Sequence, residues 1–194
     1  MPSARRNLNE SWAFLKAEGY DVEFSTDGKP VIPDHMPNYD DEVLAGLSFF
    51  RTWLRDSELN DLTLPRVYMG RTKIERVNFR NSFLGESRLN WNDFIECDFT
   101  DADLTNADAA ASIFIRCNFS NCILNGAELR ADFQDCTFKN AQMNGAKFSK
   151  FQKIEFTWFR RVAKLLDRTS QPVLSPEQIA QIDWSSPYEE PPGG

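Results

Sequence analysis

Four cysteines and one histidine are the residues of this chain that could most readily hold a metal ion or act as nucleophiles. Zinc sites group such ligands at short spacings. Here Cys97, Cys117 and Cys136 are widely separated along the chain, Cys122 follows Cys117 without forming a paired motif, and His35 is distant from all of them. We therefore expect no metal site and no cofactor, and we interpret the cysteines as small side chains that fill an interior.

The positions of the cysteines follow a repeat with a period of five. A large apolar residue occupies every fifth position from Phe49 to Leu129, except at Ala109, and the series resumes one residue early from Phe133 to Phe148. The residue two positions before each of these centres is mostly Ser, Cys or Ala. Residues two apart in an extended segment share a side, so each pentad should turn one large and one small residue inward. Such regular self-similarity is typical of a solenoid.

Similar residues recur at intervals of 20, which predicts that four pentads make one four-sided coil. An interval of 15 would instead mix phenylalanine, alanine and leucine in one column. The whole series then forms about five coils. The runs at intervals of 20 are Leu64, Leu84, Leu104 and Leu124, and Phe79, Phe99 and Phe119.

Several pentads resemble the A(D/N)LXX signature of the pentapeptide-repeat family, among them Ala102-Asp103-Leu104-Thr105-Asn106 and Ala127-Glu128-Leu129. The resemblance covers residues 47 to about 150. It implies an all-β solenoid, a right-handed quadrilateral β-helix. Family members of known role are non-enzymatic binders: some resemble DNA and occupy topoisomerases, and others are proposed as immunity or interaction modules.

The flanks of the repeat are expected to be small α/β caps, which protect the open ends of a β-helix. We predict three units: an amino-terminal cap over 1–45, the β-helix over 46–150, and a helical cap with a flexible tail over 151–194. The first cap should hold a helix from Asn7 to Ala17 and then a hairpin. The second should hold an amphipathic helix over 151–165 that closes the coil and a short helix that starts at Ser175. The end from Trp184 to Gly194 is expected to be mobile or to lie along the surface.

The formal net charge of −7 is concentrated at the amino terminus: residues 1–45 carry −5, residues 46–150 carry −1 and residues 151–194 carry −1. A near-neutral rod favours neither direct nucleic-acid binding nor DNA mimicry. No apolar run is long enough to cross a bilayer, and the first ten residues do not resemble a secretion signal. We expect a cytoplasmic, bacterial protein that does not bind membranes.

Three isoleucines are predicted to form an apolar patch on the outside of the solenoid. Ile95 and Ile115 occupy the same outward position on successive coils, and Ile113 lies beside them. Exposed apolar clusters rimmed by charge often mark binding surfaces. The alternative is that a flank, most readily the amino-terminal hairpin, covers them. The rim of the predicted patch is Trp91, Glu96 and Arg116.

Charged residues form two further patterns on the outside. Two positions after the centres of the same face, the charge alternates in sign at every step, which should stabilise the stacking. These residues are Asp56, Arg76, Glu96, Arg116 and Asp135. Between Leu89 and Ile115 there are six acids and no base. Most of these acids fall on different faces and so form a ring around one coil. The acidic ring is Asp93, Asp98, Asp101, Asp103 and Asp108.

No Ser/His/acid set, catalytic acid pair or glycine-rich phosphate loop stands out, and a filled rod has no cleft, so we expect no enzymatic activity. The leading hypothesis is a non-catalytic protein-binding module, an immunity or inhibitor protein that neutralises a toxin or effector by direct binding. A DNA mimic that binds a type II topoisomerase such as gyrase is the first alternative. A structural module for homo-assembly, dimerising through the carboxy-terminal helix, is the second.

Overall fold

The computed structural model of the 194-residue chain describes residues 4–20, 48–50, 53–149 and 174–185. The predicted hairpin and the predicted helix over 151–165 lie outside the described residues. Two helices and ten short strands are present in the described ranges. They are α1 (Leu8–Ala17), β1 (Ser48–Phe50), β2 (Trp53–Arg55), β3 (Tyr68–Gly70), β4 (Lys73–Glu75), β5 (Asp93–Ile95), β6 (Ile113–Ile115), β7 (Glu128–Leu129), β8 (Asp132–Gln134), β9 (Lys147–Ser149), α2 (Pro176–Gln181) and β10 (Asp183–Ser185).

The strands stack in parallel into a four-walled β-solenoid, as predicted. The first wall holds β1 with β3, and β7 with β9 and β10, whereas the second wall is the five-stranded sheet β2-β4-β5-β6-β8. The third and fourth walls consist of isolated parallel bridges, which run from Glu58 to Thr137 and from Thr63 to Gln142. Ile74 pairs with Phe94, the centre of the fourth pentad after its own, so four pentads do complete one coil.

Each pentad turns a corner at the residue two positions after its centre. Nearly all of these residues have positive φ, for example Asn81 at 53° and Asp101 at 60°. Asparagine and aspartate tolerate this left-handed conformation well. Their side chains also stack between coils, since Asn81 Nδ2 donates to Asp61 Oδ1 at 2.8 Å and Asn121 Nδ2 donates to Asp101 Oδ1 at 3.0 Å. These contacts form an Asp/Asn ladder along one corner of the solenoid.

Phenylalanine columns form the centre of the interior. Phe79, Phe99 and Phe119 stack with ring centroids 4.9 Å apart at both steps, and Phe94 stacks on Phe114 at 4.7 Å. The two columns meet edge to face, which is a favoured arrangement for aromatic rings. All of these rings are fully buried. The interior is therefore filled by side chains and contains no channel along this stretch.

The missing residue between Leu129 and Phe133 tightens one corner of the solenoid. Elsewhere a corner closes with a hydrogen bond between residues three apart, such as the amide of Ser82 donating to the carbonyl of Phe79 at 3.2 Å. At the shortened corner the amide of Ala131 donates to the carbonyl of Leu129 at 2.8 Å, two residues apart. Phe114 consequently pairs with Phe133, one position earlier than a full coil would give, and the phenylalanine column continues without interruption.

The amino-terminal end of the solenoid is closed by α1. Asn7 and Glu10 form the predicted capping box, and Gly19 follows the helix at a φ of 82°. The exposed edge of the first coil is paired by this segment, because the amide of Arg6 donates to the carbonyl of Asp61 at 2.8 Å and the amide of Thr63 donates to Ser11 Oγ at 2.8 Å. Free strand edges, which would promote aggregation, are thereby satisfied.

The carboxy-terminal end is closed by α2 and β10. Ser175 begins α2 with a capping box to Gln178, as predicted. Gln178 Nε2 donates to the carbonyls of Phe138 and Ala141 at 2.6 and 3.1 Å, so its side chain supplies bonds that a further coil would make. Of the two arrangements predicted for the end of the chain, the mobile one is wrong at Trp184, because β10 pairs with β9 and Trp184 packs against Phe148.

Candidate functional site

The outer surface of the second wall differs most from a regular polar solenoid surface. Each three-residue strand turns its middle residue inward and its two flanking residues outward, which follows from the alternation of a strand. The parallel register stacks the outward residues into two columns. The first column is Trp53, Lys73, Asp93, Ile113 and Asp132, and the second is Arg55, Glu75, Ile95, Ile115 and Gln134.

The three isoleucines come together as predicted, but the expectation that they are exposed is wrong. Ile95, Ile113 and Ile115 form a cluster separate from the core, with Trp91 packed against it. Their exposed fractions are 9%, 2% and 1%. Stacked neighbours alone do not explain such burial, since Phe83 and Ile123, which point outward on the fourth wall, remain partly exposed. A covered outer face, the alternative to an exposed patch, fits these values.

Polar groups share the buried part of this surface. Gln134 is only 7% exposed, and neither its Oε1 atom nor Oδ1 of Asp93 receives a hydrogen bond from the described residues. Burial raises the pKa of Asp93 to about 6, against a smaller opposing effect of Lys73. Burial likewise raises the pKa of Asp132 to about 6. Buried polar atoms are normally satisfied, so these groups mark a place where another chemical partner is expected.

The other end of the second wall is open to solvent. Trp53 is 55% exposed, and the guanidinium of Arg55 and the ammonium of Lys73 lie 4.5 and 5.0 Å from the centroid of its ring. Cation–π contacts of this kind hold an exposed ring in place. Sequence reasoning missed Trp53. A signal was available, because a tryptophan stands here at an outward position of the pentad.

The alternating charges along the corner of this wall form two salt bridges between neighbouring coils. Arg76 donates to both carboxylate oxygens of Asp56 at 2.6 and 3.0 Å, and Arg116 donates to Glu96 at 2.6 and 2.9 Å. The hydrogen bond from Arg76 lowers the pKa of Asp56. Since all four side chains are exposed, these pairs fix the register of neighbouring coils more than they stabilise the fold. Glu96 and Arg116 lie at the edge of the isoleucine cluster.

The acids of the predicted ring lie in one coil on successive walls. Asp93 is in β5 of the second wall, whereas Asp98, Asp103 and Asp108 belong to the bridges of the third, fourth and first walls. The structure gives three of them a local role that sequence reasoning missed. Asp98, Asp103 and Asp108 each accept a hydrogen bond from the backbone amide two residues later, at 2.9 to 3.0 Å. An Asp-x-Thr or Asp-x-Ala spacing is the signal for such a turn.

Part of the negative charge of the ring is neutralised by a neighbouring coil. Arg80 lies 3.2 Å from a carboxylate oxygen of Asp98 and 3.8 Å from one of Asp101. Burial raises the pKa of Asp108, and the nearby Glu128 raises it further, although the amide of Ala110 opposes this. Because of these contacts, the carboxylates of the ring resemble the phosphates of DNA less closely than free carboxylates would.

The cysteines occupy inward positions, as predicted. Cys97, Cys117, Cys122 and Cys136 are free thiols with exposed fractions of at most 8%. Burial raises the pKa of Cys117 and Cys122 well above the ordinary thiol value. Buried thiols with raised pKa values are poor nucleophiles. His35 lies outside the described residues, and within the described ranges no group of His, Cys, Asp and Glu side chains could hold a metal ion.

Comparison with known sequences identifies the repeat. The family profile described as pentapeptide repeats matches in eight copies over residues 73–108 and 112–150. The repeat region belongs to the pentapeptide-repeat family. A comparison with curated protein sequences finds no significant match. None of the helices in the described part of the chain is long and apolar enough to cross a membrane.

Several solved structures match part of the chain, among them two that are described as pentapeptide-repeat proteins. HetL, involved in heterocyst differentiation regulation in the cyanobacterium Nostoc sp. strain PCC 7120, is 17% identical with a TM-score of 0.37, and the match covers 53% of this chain and 45% of HetL. QnrB1, a plasmid-mediated fluoroquinolone resistance protein, is 14% identical with a TM-score of 0.41, and the match covers 54% of this chain and 61% of QnrB1. A thylakoid-lumen protein of Arabidopsis thaliana is 21% identical with a TM-score of 0.40, and the match covers 62% of this chain and 83% of the Arabidopsis protein. The chain thus spans less than two thirds of HetL and of QnrB1.

Proposed function

We propose that this pentapeptide-repeat protein is a non-catalytic, cytoplasmic binding protein that holds a protein partner on the outside of its solenoid. We further propose that it acts as an immunity or inhibitor protein and that the partner is a toxin or effector. The filled interior supports a surface role, because the phenylalanine columns leave no room for a substrate between the walls. The buried, high-pKa thiols are also unsuited to catalysis.

The observation that carries this proposal is the exposed Trp53 on the second wall. Tryptophan and arginine are the residues most enriched among those that dominate binding energy in protein interfaces. Here a tryptophan that is 55% exposed lies against Arg55 and Lys73, with the Arg76–Asp56 pair beside it. The rigid strand β2 presents the ring on a flat wall, so little conformational entropy is lost when a partner covers it.

The partner-binding surface that we propose extends along the same wall to Glu96, Arg116 and Trp91. Charged groups at the edge of an interface mainly set the association rate and orientation. Ile95, Ile113 and Ile115 lie on the outer face of the same wall, but they are buried and cannot contact a partner without rearrangement. Of the acidic ring, Asp93 lies on this wall, whereas Asp98, Asp103 and Asp108 lie on the other walls and accept hydrogen bonds from turn amides, so those three do not extend the surface.

The test compares the wild type with two alanine variants in growth and binding assays. Co-expression with the toxin or effector encoded beside its gene should restore bacterial growth, and calorimetry should show direct binding. Trp53→Ala should weaken this binding about 30-fold, which corresponds to about 2 kcal/mol. Ile179→Ala is the matched control, because Ile179 is an apolar residue 47% exposed on α2, outside the second wall.

Two results would contradict the proposal. If Trp53→Ala and Ile179→Ala bind the toxin equally well, the second wall is not the contact surface. If the wild type has no effect on the toxin but protects DNA supercoiling by purified gyrase, and charge reversal at Asp98, Asp101 and Asp103 abolishes that protection, then the DNA-mimic alternative is correct.

A further inference from the structure

The outer face of β5, β6 and β8 is buried although it points away from the core. Ile113 and Ile115 are 2% and 1% exposed, and Gln134 beside them is 7% exposed. Among the described hydrophobic residues, Trp91 is the one packed against the isoleucine cluster, and it is itself only partly buried. A single ring at the corner of a flat wall cannot cover three stacked isoleucines and a glutamine. This face therefore has the chemistry of one half of a packed interface.

The groups on this face indicate what should pack against it. The isoleucines require apolar side chains, and Gln134 Oε1 and Asp93 Oδ1 require hydrogen-bond donors. Asp93 and Asp132 flank Ile113 in the same column. Two largely buried carboxylates would repel an acidic segment and attract a basic one. The fitting occupant is an amphipathic segment with large apolar residues and a positive net charge.

The chain contains two long internal segments outside the described residues, and their charges are opposite. Residues 21–47 contain seven acids and one base, a net charge of −6, whereas residues 150–173 contain six bases and two acids, a net charge of +4. The second segment also has apolar residues at helical spacing, an arrangement that gives one continuous apolar side. These apolar residues are Phe151, Ile154, Trp158, Val162 and Leu165.

The described residues that precede and follow the basic segment both lie at the carboxy-terminal end of the solenoid. The segment follows Ser149 in β9, and one coil earlier the equivalent first-wall strand, β7, leads directly into β8 of the second wall. It returns at Leu174, ahead of α2, whose Gln178 binds the third and fourth walls at Phe138 and Ala141. As a helix the segment would span about 36 Å. Adjacent strands are about 4.8 Å apart, so β5, β6 and β8 together extend over about 10 Å, well within that reach.

We propose that the outer face of β5, β6 and β8 is a docking surface for a cationic amphipathic segment, and that residues 150–173 of this chain occupy it. Intramolecular docking explains at once why the isoleucines are buried, why the acids are tolerated on that face, and why the segment joins β9 to α2. It implies that the segment would compete with any partner that approaches the isoleucine cluster. The docking proposal does not rest on the partner proposed for Trp53, although a segment docked on the isoleucine cluster would adjoin Trp91, Glu96 and Arg116 of the proposed partner-binding surface.

The test uses a reporter cysteine on the docking face. Ile115→Cys places a thiol in the cluster, while the four native thiols are buried and serve as internal controls for folding. In the full chain the reporter should react slowly with a thiol reagent. Adding Ile154→Asp and Trp158→Asp should raise the labelling rate at least about tenfold, because the apolar side of the segment is lost and the face opens locally. The matched control, Val22→Asp with Phe24→Asp in the acidic segment, should leave the rate unchanged.

A peptide in trans separates docking from indirect effects. A synthetic peptide of residues 150–173 should restore slow labelling of the doubly substituted reporter, and a scrambled peptide of the same composition should not. If the native cysteines also become reactive, the milder Trp158→Ala must still raise the reporter rate without exposing them. An unchanged rate in the 150–173 variants, or an equal increase in the 21–47 control, would overturn the proposal.

Discussion

Replacing Phe99 by alanine removes a ring from the middle of the phenylalanine column. Phe99 stacks between Phe79 and Phe119, with centroids 4.9 Å away on each side, and meets the edges of Phe94 and Phe114 at 5.8 and 6.5 Å. The coils on either side are held by ladder hydrogen bonds, so the walls cannot collapse to fill the space. Phenylalanine-to-alanine changes in such rigid interiors cost about 3 to 5 kcal/mol in unfolding free energy.

The loss should appear as a reduced midpoint in equilibrium urea unfolding and as a decrease of about 10 °C in melting temperature, since this chain is of the size where 1 kcal/mol shifts the transition by a few degrees. Phe83→Ala is the matched control. Phe83 points outward from the fourth wall and is only partly buried, so the same substitution should cost no more than about 1 kcal/mol. Equal effects of the two substitutions, or a melting temperature unchanged by Phe99→Ala, would refute the assignment of inward positions.

Two further predictions concern the buried acid and the carboxy-terminal cap. Asp132 has a pKa raised from 3.8 to about 6 in the folded chain, so the folded state retains its proton to higher pH than the unfolded state and stability falls as pH rises between these values. Asp132→Asn should therefore be about 3 kcal/mol more stable than the wild type at pH 7.5 in denaturant titrations and nearly equal to it near pH 4. The control, Asp135→Asn at an exposed corner, should leave the stability at pH 7.5 almost unchanged. Gln178→Ala removes hydrogen bonds to two carbonyls, so it should destabilise the protein by about 2 kcal/mol in urea unfolding. The exposed control Gln142→Ala should have almost no effect. Equal stability of the two variants would show that α2 does not close the solenoid.

The architecture of the repeat follows from the sequence because each pentad specifies its own local structure. Phe79, Phe99 and Phe119 recur at the stacking interval, and a ladder of parallel strands can satisfy that spacing only by completing one coil every four pentads. The helix caps are equally local, since Asn7 with Glu10 and Ser175 with Gln178 each specify a boundary through two hydrogen bonds. The shortened corner after Leu129 also follows from counting residues along the chain.

Burial on the outside of the walls could not be predicted in this way. The pentad shows that Ile113 and Ile115 point outward, but whether they meet water depends on long-range packing that periodicity does not encode. The same limit explains the incorrect prediction for Trp184. It lies in a sequence rich in proline and glycine, yet β9 offers a free strand edge and Phe148 offers an apolar surface, and together they hold β10 in place. Tertiary contacts here override a local compositional signal.

The acids of the third coil show a second limit, because one residue type serves two purposes in a pentad. Asp98 and Asp103 appear in the sequence as surface charges, but one oxygen of each is used by a turn amide. A pentapeptide-repeat chain therefore shows more apparent charge than is free to recognise a partner. A charge count over this coil overstates its similarity to DNA, and a count restricted to carboxylates without turn or arginine contacts is the better measure.

Departures from the pentad pattern are the more informative guide to function in this fold. Inward positions are committed to packing and corner positions to the left-handed turn, so selection for binding can act mainly on the outward columns. On the second wall these columns hold an exposed Trp53 at one end and the buried isoleucines with Asp93 and Gln134 at the other. The third wall instead presents polar residues such as Asn78 and Asn118 at equivalent positions. Both proposals made for this protein therefore place recognition on the same sheet, with a partner at the β2 end and the chain's own basic segment at the β8 end.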